Sequence, residues 1–535
     1  MAQEVGQTQR LASQEMIQAM TERAARGETV KCGSTFRFAW LAERLGGRSS
    51  VAMVLEDRPI LQTSRPSPSG RFRIHFDTAG TNTPSLLTQA GQPIPGTANA
   101  FVDSAAAIFD EVWHRIVDGQ QYLPPPQDTA GGDAAYDVYL KDLSPGLFGE
   151  TIPEGMPLPG APNERYVSHL VVDNDFAGLR TRGLDGLRIT AAHEFFHAVQ
   201  IGAYGIWDTR EYYFYELSSV WMETVLYPSV EDYLLDVPDY FALFPGASLA
   251  TFNMSFRGYE RSVFALYLGQ RFGQDAMRQA WDEVSRARVL PALNRMLQSR
   301  GSSLREAFRE FSVWNHFTAD RADTRRSYAQ GARFPRMTPA VSAPWISPGI
   351  SLAYGLEPLS HATLVVRTPI DTLSLLVVNA DAASAGIVPI PRPVATAQVT
   401  DEDPPIPAQQ IAGGFWLATV VDDQEKWFSE AFSATGRGEL PPTVRRPWPS
   451  PWLLATDIDL VLPVSVSDGG SVRVDFISGG AGVVSAGDRT MEMQRGMKVV
   501  RVPVADVRHR LGSGVYVVVV HAGSDQEIWK VAVVR

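Results

Sequence analysis

One pentapeptide carries the residue types of a metal site. His193, Glu194 and His197 form an H-E-x-x-H motif within the stretch 186–223. If this stretch is helical, the two histidines lie about 40° apart around the helix axis and one turn apart along it, so both imidazoles can reach one ion. Imidazoles at this spacing supply half of a tetrahedral zinc site, with the intervening glutamate free to move protons.

The residues around the motif predict a buried helix. Leucine, isoleucine, alanine, phenylalanine and valine fill most other positions from 187 to 199, which leaves almost no polar face. An unpaired polar group in such a helix costs roughly 1 to 3 kcal/mol, and a charge costs more. Because a metal ion satisfies both histidines and a carboxylate together, the buried setting favours a metal site.

A third ligand is expected from a second helix that faces the first. Glu216 is the preferred candidate, and Glu211 and Glu223 are the alternatives. Glu223 lies two turns beyond Glu216 on the same face, which would suit a carboxylate that orients one of the histidines.

The motif, its spacing to Glu216 and the local sequence from Tyr215 to Glu223 resemble the gluzincin metallopeptidases, the group of thermolysin and aminopeptidase N. In that group a glutamate of a second helix completes the zinc site. Further segments are similar to a family of secreted bacterial zinc metallopeptidases with an HEFxHxxQ motif: FRIHFDTAG (72–80), AYDVYL (135–140), VVDNDF (171–176) and AAHEFFHAVQ (191–200). The resemblance implies an α+β zincin-like catalytic domain, consisting of a small mixed sheet and a helical subdomain, with one catalytic zinc ion held by His193, His197 and Glu216.

The resemblance also implies hydrolysis of peptide bonds by a zinc-activated water, with Glu194 as general base. Tyr259 begins a Tyr-Glu-Arg sequence similar to the Tyr-Glu-Lys-Gly element of the aminopeptidase N group, whose tyrosine stabilises the oxyanion, although Ser262 stands in place of the glycine. The alternatives are that Tyr259 is a core tyrosine and that His316 fills the role of the thermolysin histidine. Because the G-x-M-E-N sequence of that group is absent, an endopeptidase is favoured over an aminopeptidase.

A binding protein is the alternative from another functional class. In that hypothesis the zinc is structural, and the C-terminal β domains attach a non-catalytic adhesion protein to a polymer or a cell surface. The glutamate retained between the two histidines favours the enzyme.

Composition narrows the range of partners. The chain has 535 residues, of which 44% are hydrophobic and 20% charged, as in ordinary globular proteins. The formal net charge of −11 gives no basic footprint for nucleic acid, so a protein or peptide substrate is the expected partner. No apolar run of 18 residues or more occurs, and no membrane span is predicted. Oligomeric state is left open.

The single cysteine, Cys32, permits no intramolecular disulfide, and we interpret it as a packed or disordered side chain without a catalytic role. Because the family it resembles is secreted, secretion is expected, with a signal peptide already removed ahead of Met1. A cytoplasmic location stays open.

The pattern along the chain predicts five segments. They are an N-terminal arm or pro-like segment (1–60, with a helix over 7–26), a mixed α/β subdomain (61–183), a helical subdomain with the zinc site (184–333), a β-rich domain (349–435) and a C-terminal immunoglobulin-like β-sandwich (453–535). Tyr136 to Leu143 and Tyr166 to Val172 are predicted as strands, separated by a proline-rich loop, 144–164.

Two features of the first subdomain concern ligands. The stretch that begins Tyr166, Val167, Ser168 and His169 is the candidate edge strand for pairing with an extended peptide substrate, and an interior strand is the alternative. Nearby aspartates at 173 and 175 permit calcium binding, but such residues in a turn usually cap the next element, so calcium is given little weight.

Overall fold

The computed structural model describes four parts of the chain: residues 30–38 apart from 36; 58–337 apart from 128–132, 144–145, 156, 244–247, 253–257 and 326; short stretches from 341 to 447; and 452–535 apart from 456–458, 465–470, 479–481, 495–496 and 523–524. The predicted helix over 7–26 lies outside these residues. The chain divides into two compact units: Met1–Ser342 with Ser351–Leu364 and Trp416–Ser433, and Ala343–Ile350 with Val365–Phe415 and Ala434–Arg535. The finer division into five segments stays a prediction.

A six-stranded sheet belongs to the first unit. Its strands are β1 (Val30–Cys32), β2 (Thr63–Pro66), β3 (Phe72–Phe76), β4 (Tyr136–Lys141), β5 (Leu147–Glu154) and β6 (Val167–Asp173). Their hydrogen-bonded order is β1-β5-β6-β4-β3-β2. Strand β4 runs parallel to β3 and β6, β5 runs antiparallel to β6, and β1 runs parallel to β5. The sheet is therefore mixed, as predicted.

The predicted edge strand is an interior strand. Strand β6, with Val167, Ser168 and His169 at its start and Tyr166 just before it, lies between β5 and β4. Residues 167–172 pair with β5 and residues 170–173 pair with β4, so β6 does not form an edge of the sheet. The prediction of an edge here was wrong because periodicity shows that a strand exists but not which strands flank it.

The proline-rich segment 144–164 is not only a loop. It contains β5, whose residues are buried from Leu147 to Pro153. Proline and glycine lower the sequence signal for a strand, but Pro153 lies opposite Ser168 in an antiparallel ladder that tolerates it. The strand nearest the H-E-x-x-H helix was thus missed from the sequence.

Helices make up most of the remainder of the first unit, in agreement with the helical pattern predicted from 184 to 325. In the described residues they are α1 (Ala98–Trp113), α2 (Gly183–Val199), α3 (Tyr212–Leu226), α4 (Val237–Leu243), α5 (Ser262–Phe272), α6 (Asp275–Val284), α7 (Val289–Ser299) and α8 (Leu304–His316). None of the helices in these parts of the chain has the length and apolar character needed to cross a membrane.

Helix α2 carries the motif and is buried, as predicted. Every residue from Gly186 to Val199 except Arg188 is buried. A π-helical turn, Gln200–Tyr204, continues the helix, and Gly205 ends it with a φ of 80°, a conformation that favours glycine.

Phe195 joins the motif helix to the sheet. Its ring centroid lies 5.3 Å from that of Phe72 on β3 and 6.1 Å from that of Tyr136 on β4. It also lies 5.4 Å from the ring of Trp113 at the end of α1. These ring contacts fix the face that α2 turns to the sheet, which leaves His193 and His197 on other faces of the helix.

Strands dominate the chain after α8. Between 341 and 437 they are β7 (Val341–Pro344), β8 (Ser360–Arg367), β9 (Thr372–Leu376), β10 (Pro393–Val399), β11 (Ala412–Val421), β12 (Phe428–Ala431) and β13 (Gly436–Arg437). From 452 onward they are β14 (Trp452–Leu453), β15 (Leu460–Val464), β16 (Ser471–Ser478), β17 (Val483–Gln494), β18 (Met497–Val502), β19 (Gly514–Ala522) and β20 (Asp525–Val534), with a short helix α9 (Val504–Val507).

The last seven strands share one core. Their order is β14-β20-β19-β16-β17-β18-β15, and β17 pairs with β16 through residues 483–490 and with β18 through residues 491–494. Leu462 and Val500 from one group of strands and Phe476 from the other belong to a single buried apolar cluster. The C-terminal region is therefore rich in sheet, as predicted, and the immunoglobulin-like assignment stays a prediction.

Truncating Phe195 tests the link between the motif helix and the sheet. We expect Phe195→Ala to lower the free energy of unfolding by about 3 to 5 kcal/mol, because a fully buried ring leaves a cavity against three others. Leu235→Ala is the control, since this side chain is 57% exposed and its loss should change stability by less than about 0.5 kcal/mol. Urea unfolding followed by circular dichroism measures both, and equal midpoints would contradict the assignment.

Candidate metal centre

Helices α2 and α3 bring the three predicted ligands together. His193 and His197 extend from α2, and their Nε2 atoms lie 3.0 Å apart. The carboxylate of Glu216 extends from α3, with Oε2 3.2 Å from Nε2 of His193 and Oε1 3.2 Å from Nε2 of His197. All three side chains are almost completely buried.

The Nδ1 atom of each histidine is hydrogen-bonded to an acceptor, which places a proton on Nδ1. Nδ1 of His193 donates to Oε1 of Glu223 at 2.7 Å. Nδ1 of His197 donates to Oε1 of Gln200 at 2.7 Å, and the amide of Gln200 is oriented because its Nε2 donates to the carbonyl of Tyr215 at 3.1 Å. With both protons on Nδ1, both Nε2 atoms present lone pairs to the same point.

This point is surrounded by acceptors. Glu216 Oε1 has no hydrogen-bond donor in the described structure, although Nε2 of His197 is close, because that nitrogen carries no proton when Nδ1 donates to Gln200. Three converging lone-pair atoms repel one another unless a positive charge lies between them. The donor set therefore fits a divalent cation.

The electrostatics show the same preference for positive charge. Burial disfavours the charged imidazole, but hydrogen bonds and charges from Glu216 and Glu223 outweigh it and raise the pKa of His193 to about 10. Burial likewise disfavours ionised Glu216, but the two imidazoles outweigh it and lower its pKa to about 2. A metal ion would supply the charge that a proton on His193 otherwise supplies.

A fourth side chain belongs to the same cluster. Cys32, His193, His197 and Glu216 are all buried, and each offers one ligand atom within 4.8 Å of the others. Zinc bonds of about 2.0 to 2.3 Å place tetrahedral ligand atoms roughly 3.3 to 3.6 Å apart, so these four groups can hold a metal ion. Burial, followed by the charges of Glu194 and Glu216, raises the pKa of the Cys32 thiol. Cys32 is a packed side chain, as one of the two sequence interpretations predicts, and its place beside the three predicted ligands was not predicted.

Glu194 is held beside the ligands by the strand next to its helix. The hydroxyl of Thr151 on β5 lies 2.8 Å from both the carbonyl oxygen and Oε2 of Glu194. Strand and helix approach closely because Gly149 has no side chain, and a Cβ there would lie 3.2 Å from Cγ of Glu194 and 2.8 Å from a methyl group of Thr190. The carboxylate is thereby oriented without being one of the ligands.

Tyr259 lies next to the cluster. Its ring centroid is 6.1 Å from that of His193. Its hydroxyl accepts a hydrogen bond of 2.9 Å from the amide of Cys32 and lies 2.7 Å from Oγ1 of Thr35. Tyr259 is therefore close to the cluster, at the start of the turn that precedes α5.

Two further candidates lie outside the cluster: Glu211, an alternative third ligand, and His316, the alternative to Tyr259. Glu211 accepts from Nε of Arg288 at 3.1 Å and from the amide of Val289 at 3.2 Å, and burial raises its pKa to about 7 despite these donors. His316, at the end of α8, packs edge-on against Phe317, and its pKa is lowered by burial and by neighbouring arginines. Neither is a member of the four-residue cluster.

The aspartates considered for calcium cap a turn instead. Oδ1 of Asp173 accepts from the amides of Asp175 and Phe176, and Oδ1 of Asp175 accepts from the amide of Ala177 at 2.7 Å. Both carboxylates therefore accept hydrogen bonds from backbone amides of their own turn, as the capping alternative predicts.

No protein-family model, curated protein or solved structure matches this chain. Sequence reasoning assigned no role to Gln200, Thr151 or Cys32. Gln200 follows His197 by three positions on one helix face, a spacing that does predict contact, whereas Thr151 and Cys32 reach the centre only through tertiary pairing.

Replacing Glu216 tests the ligand set. We expect Glu216→Gln to lose stoichiometric metal, because the amide removes the negative charge and presents a donor to two lone pairs. Glu211→Gln is the matched control and should keep its metal, since Glu211 bonds to Arg288 and Val289. The metal content of both variants is measured by mass spectrometry after gel filtration. Full occupancy in Glu216→Gln would remove Glu216 from the ligand set.

Proposed function

We propose that this protein is a zinc-dependent hydrolase of peptide bonds, of the gluzincin type that its sequence resembles. One observation carries the proposal: Nε2 of His193, Nε2 of His197 and the carboxylate of Glu216 converge in one buried place, while Nδ1 of each histidine bonds to another acceptor. Two imidazoles and one carboxylate are a ligand set that catalytic zinc sites use, and the mixed sheet with its helices would then be zincin-like.

Glu194 is the proposed general base. A bound zinc ion would lower the pKa of a coordinated water to about 7 and polarise a substrate carbonyl. Glu194 follows the ligand His193 in the helix, and its carboxylate is oriented by Thr151. From this position it accepts a proton from the attacking water and delivers it to the leaving amine.

Tyr259 is the proposed donor to the oxyanion. Its ring is buried, but its hydroxyl points to the cluster region, where it now bonds to Cys32 and Thr35. A hydroxyl placed there can donate to the oxygen on which negative charge develops, an effect typically worth 10² to 10³ in rate.

A peptide is the proposed substrate, and β5 is the proposed strand for binding it. β5 approaches Glu194 through Gly149 and Thr151, and its side away from β6 pairs with an extended segment of this same chain, β1. An extended peptide can use such an edge by backbone pairing. Cleavage within a polypeptide and secretion of the enzyme are parts of the proposal that rest on the sequence resemblance.

Removing the proposed base should separate metal binding from catalysis. We expect Glu194→Gln to retain stoichiometric zinc but to lose casein hydrolysis by a factor on the order of 10² or more, because proton transfer typically contributes 10² to 10⁴. A casein zymogram with and without chelator, combined with metal analysis, tests this. Undiminished hydrolysis by Glu194→Gln would exclude Glu194 as the base, and hydrolysis by the parent protein that persists in chelator would exclude the metal-dependent reaction.

Removing one hydroxyl tests the oxyanion role. Tyr259→Phe should lower kcat by roughly 10² with little change in KM, because the hydroxyl would act mainly on the transition state. Tyr267→Phe is the matched control, since this tyrosine is buried in the helical core and its hydroxyl donates to Glu310 at 3.1 Å. Equal kcat values for the two variants on a fluorogenic peptide would assign oxyanion stabilisation to another group.

A further inference from the structure

The N-terminal segment, residues 30–38, lies across the candidate metal centre. Its described side chains from Lys31 to Phe38 are almost completely buried. They contact the groups around the metal cluster one after another: Lys31 Nζ donates to Glu223 at 2.6 Å, the Cys32 amide donates to Tyr259, Ser34 Oγ bonds to Thr151, Thr35 bonds to Tyr259, Arg37 pairs with Glu150, and the ring of Phe38 stacks on that of Tyr212 at 4.0 Å.

The backbone of this segment occupies the edge of the sheet. Strand β1 pairs in parallel with β5, with Val30 opposite Leu147 and Cys32 opposite Gly149. This is the edge that lies beside Glu194. While β1 is in place, a peptide substrate cannot form backbone hydrogen bonds with this part of β5.

The thiol of the same segment reaches the ligand cluster. Cys32 offers its Sγ within 4.8 Å of the ligand atoms of His193, His197 and Glu216. Cysteine sulfur is a strong zinc ligand, and four protein ligands close a tetrahedral site, whereas hydrolysis needs one position open. The hydroxyl of Tyr259 is also engaged by this segment.

We infer that Cys32 is a displaceable fourth ligand of the metal and that the N-terminal segment holds the enzyme in a latent state. This inference rests on the proposed function, because latency has meaning only for a catalytic centre. With the segment bound, the open coordination position, the sheet edge and the proposed oxyanion donor are all occupied. Withdrawal of residues 30–38 frees all three together.

The other ligands are positioned mostly by contacts outside the segment. His197 is oriented by Gln200, which is fixed by Tyr215 and by Ser218 at 3.0 Å. His193 is oriented by Glu223 on α3. None of these four contacts involves residues 30–38, so we expect a three-ligand centre to remain when the segment leaves, unlike a structural site that loses one of four integral ligands.

Cobalt reports directly on the sulfur ligand. We expect the full-length protein loaded with Co²⁺ to show a thiolate-to-cobalt charge-transfer band in the near ultraviolet, and Cys32→Ala loaded with Co²⁺ to lack it. Because Cys32 is the only cysteine in the chain, no other thiolate can produce the band. Identical spectra for the two proteins would overturn the ligand assignment, while cobalt binding by both would leave the three-ligand centre standing.

Access to the thiol reports on the position of the segment. Ellman's reagent should modify Cys32 slowly in the metal-loaded native protein and much faster once a chelator removes the metal. The control thiol is the one that Val515→Cys introduces in a Cys32→Ala background, because residue 515 is 64% exposed and should react at the same rate in both states. Equal reactivity of Cys32 with and without metal would contradict its coordination.

Peptide hydrolysis separates latency from the proposed function. Cys32→Ala should hydrolyse a fluorogenic peptide about tenfold faster or more than the parent protein at equal zinc content. Gly33→Val should do the same with the thiol intact, because a Cβ at position 33 would lie 2.7 Å from Cδ of Glu150 and displace the side chain that pairs with Arg37, which weakens the attachment of the segment. Gly178→Val is its control, since nothing lies within 4 Å of the corresponding Cβ.

Each result of the hydrolysis assay has one meaning. Parent, Cys32→Ala and Gly33→Val proteins of equal activity would overturn latency and support the proposed hydrolase. Zinc-loaded proteins that are all inactive would overturn the hydrolase and latency together, and the cobalt spectrum would still decide whether Cys32 is a ligand. Activation of both variants but not of Gly178→Val supports the inference.

Discussion

The first unit depends on the convergence of two imidazole nitrogens and one carboxylate in a buried place that favours positive charge. Nε2 of His193, Nε2 of His197 and a carboxylate oxygen of Glu216 lie about one hydrogen-bond length apart, and the Nδ1 atoms of the two imidazoles bond to Glu223 and Gln200. Such an arrangement is costly unless a cation neutralises it. The surrounding helices, strands and ion pairs can therefore be understood as the structure that keeps these atoms from moving apart.

Rigid elements supply that constraint from two directions. The ring of Phe195 packs against the sheet and against α1, which fixes the rotation of α2 and thus the direction of both histidines. On another face of the helix, β5 comes close enough at Gly149 for Thr151 to orient Glu194. The two histidines and the proposed base therefore share one helix, but their orientations are set by different neighbours.

Buried charges connect the N-terminal segment to the candidate metal centre. Lys31 bonds to Glu223, which orients a ligand, and also to Asp232 at 2.8 Å, so the segment is fixed by buried charges as well as by backbone pairing. Burial of Lys31 is compensated by these two carboxylates, which raise the pKa of its amine. A buried charge that keeps its partners is stable, but one that loses them is strongly destabilising. Release of the segment must therefore separate Lys31 from both carboxylates and expose its amine to water in one step. This favours an all-or-none change over gradual loosening.

The sequence by itself determined the local chemistry. The H-E-x-x-H spacing, the apolar helix around it and a glutamate on a second helix follow from helical periodicity, because residues three and four apart share a face whatever the helix packs against. A sheet-rich C-terminal region was also predicted, although not every strand in it. Only the tertiary structure decided that β6 is an interior strand, that proline-rich residues form β5, and that Cys32 meets His193 from a segment far away in the chain. Strand order and long-range approach depend on which surfaces bury one another, and local sequence patterns contain no record of that choice.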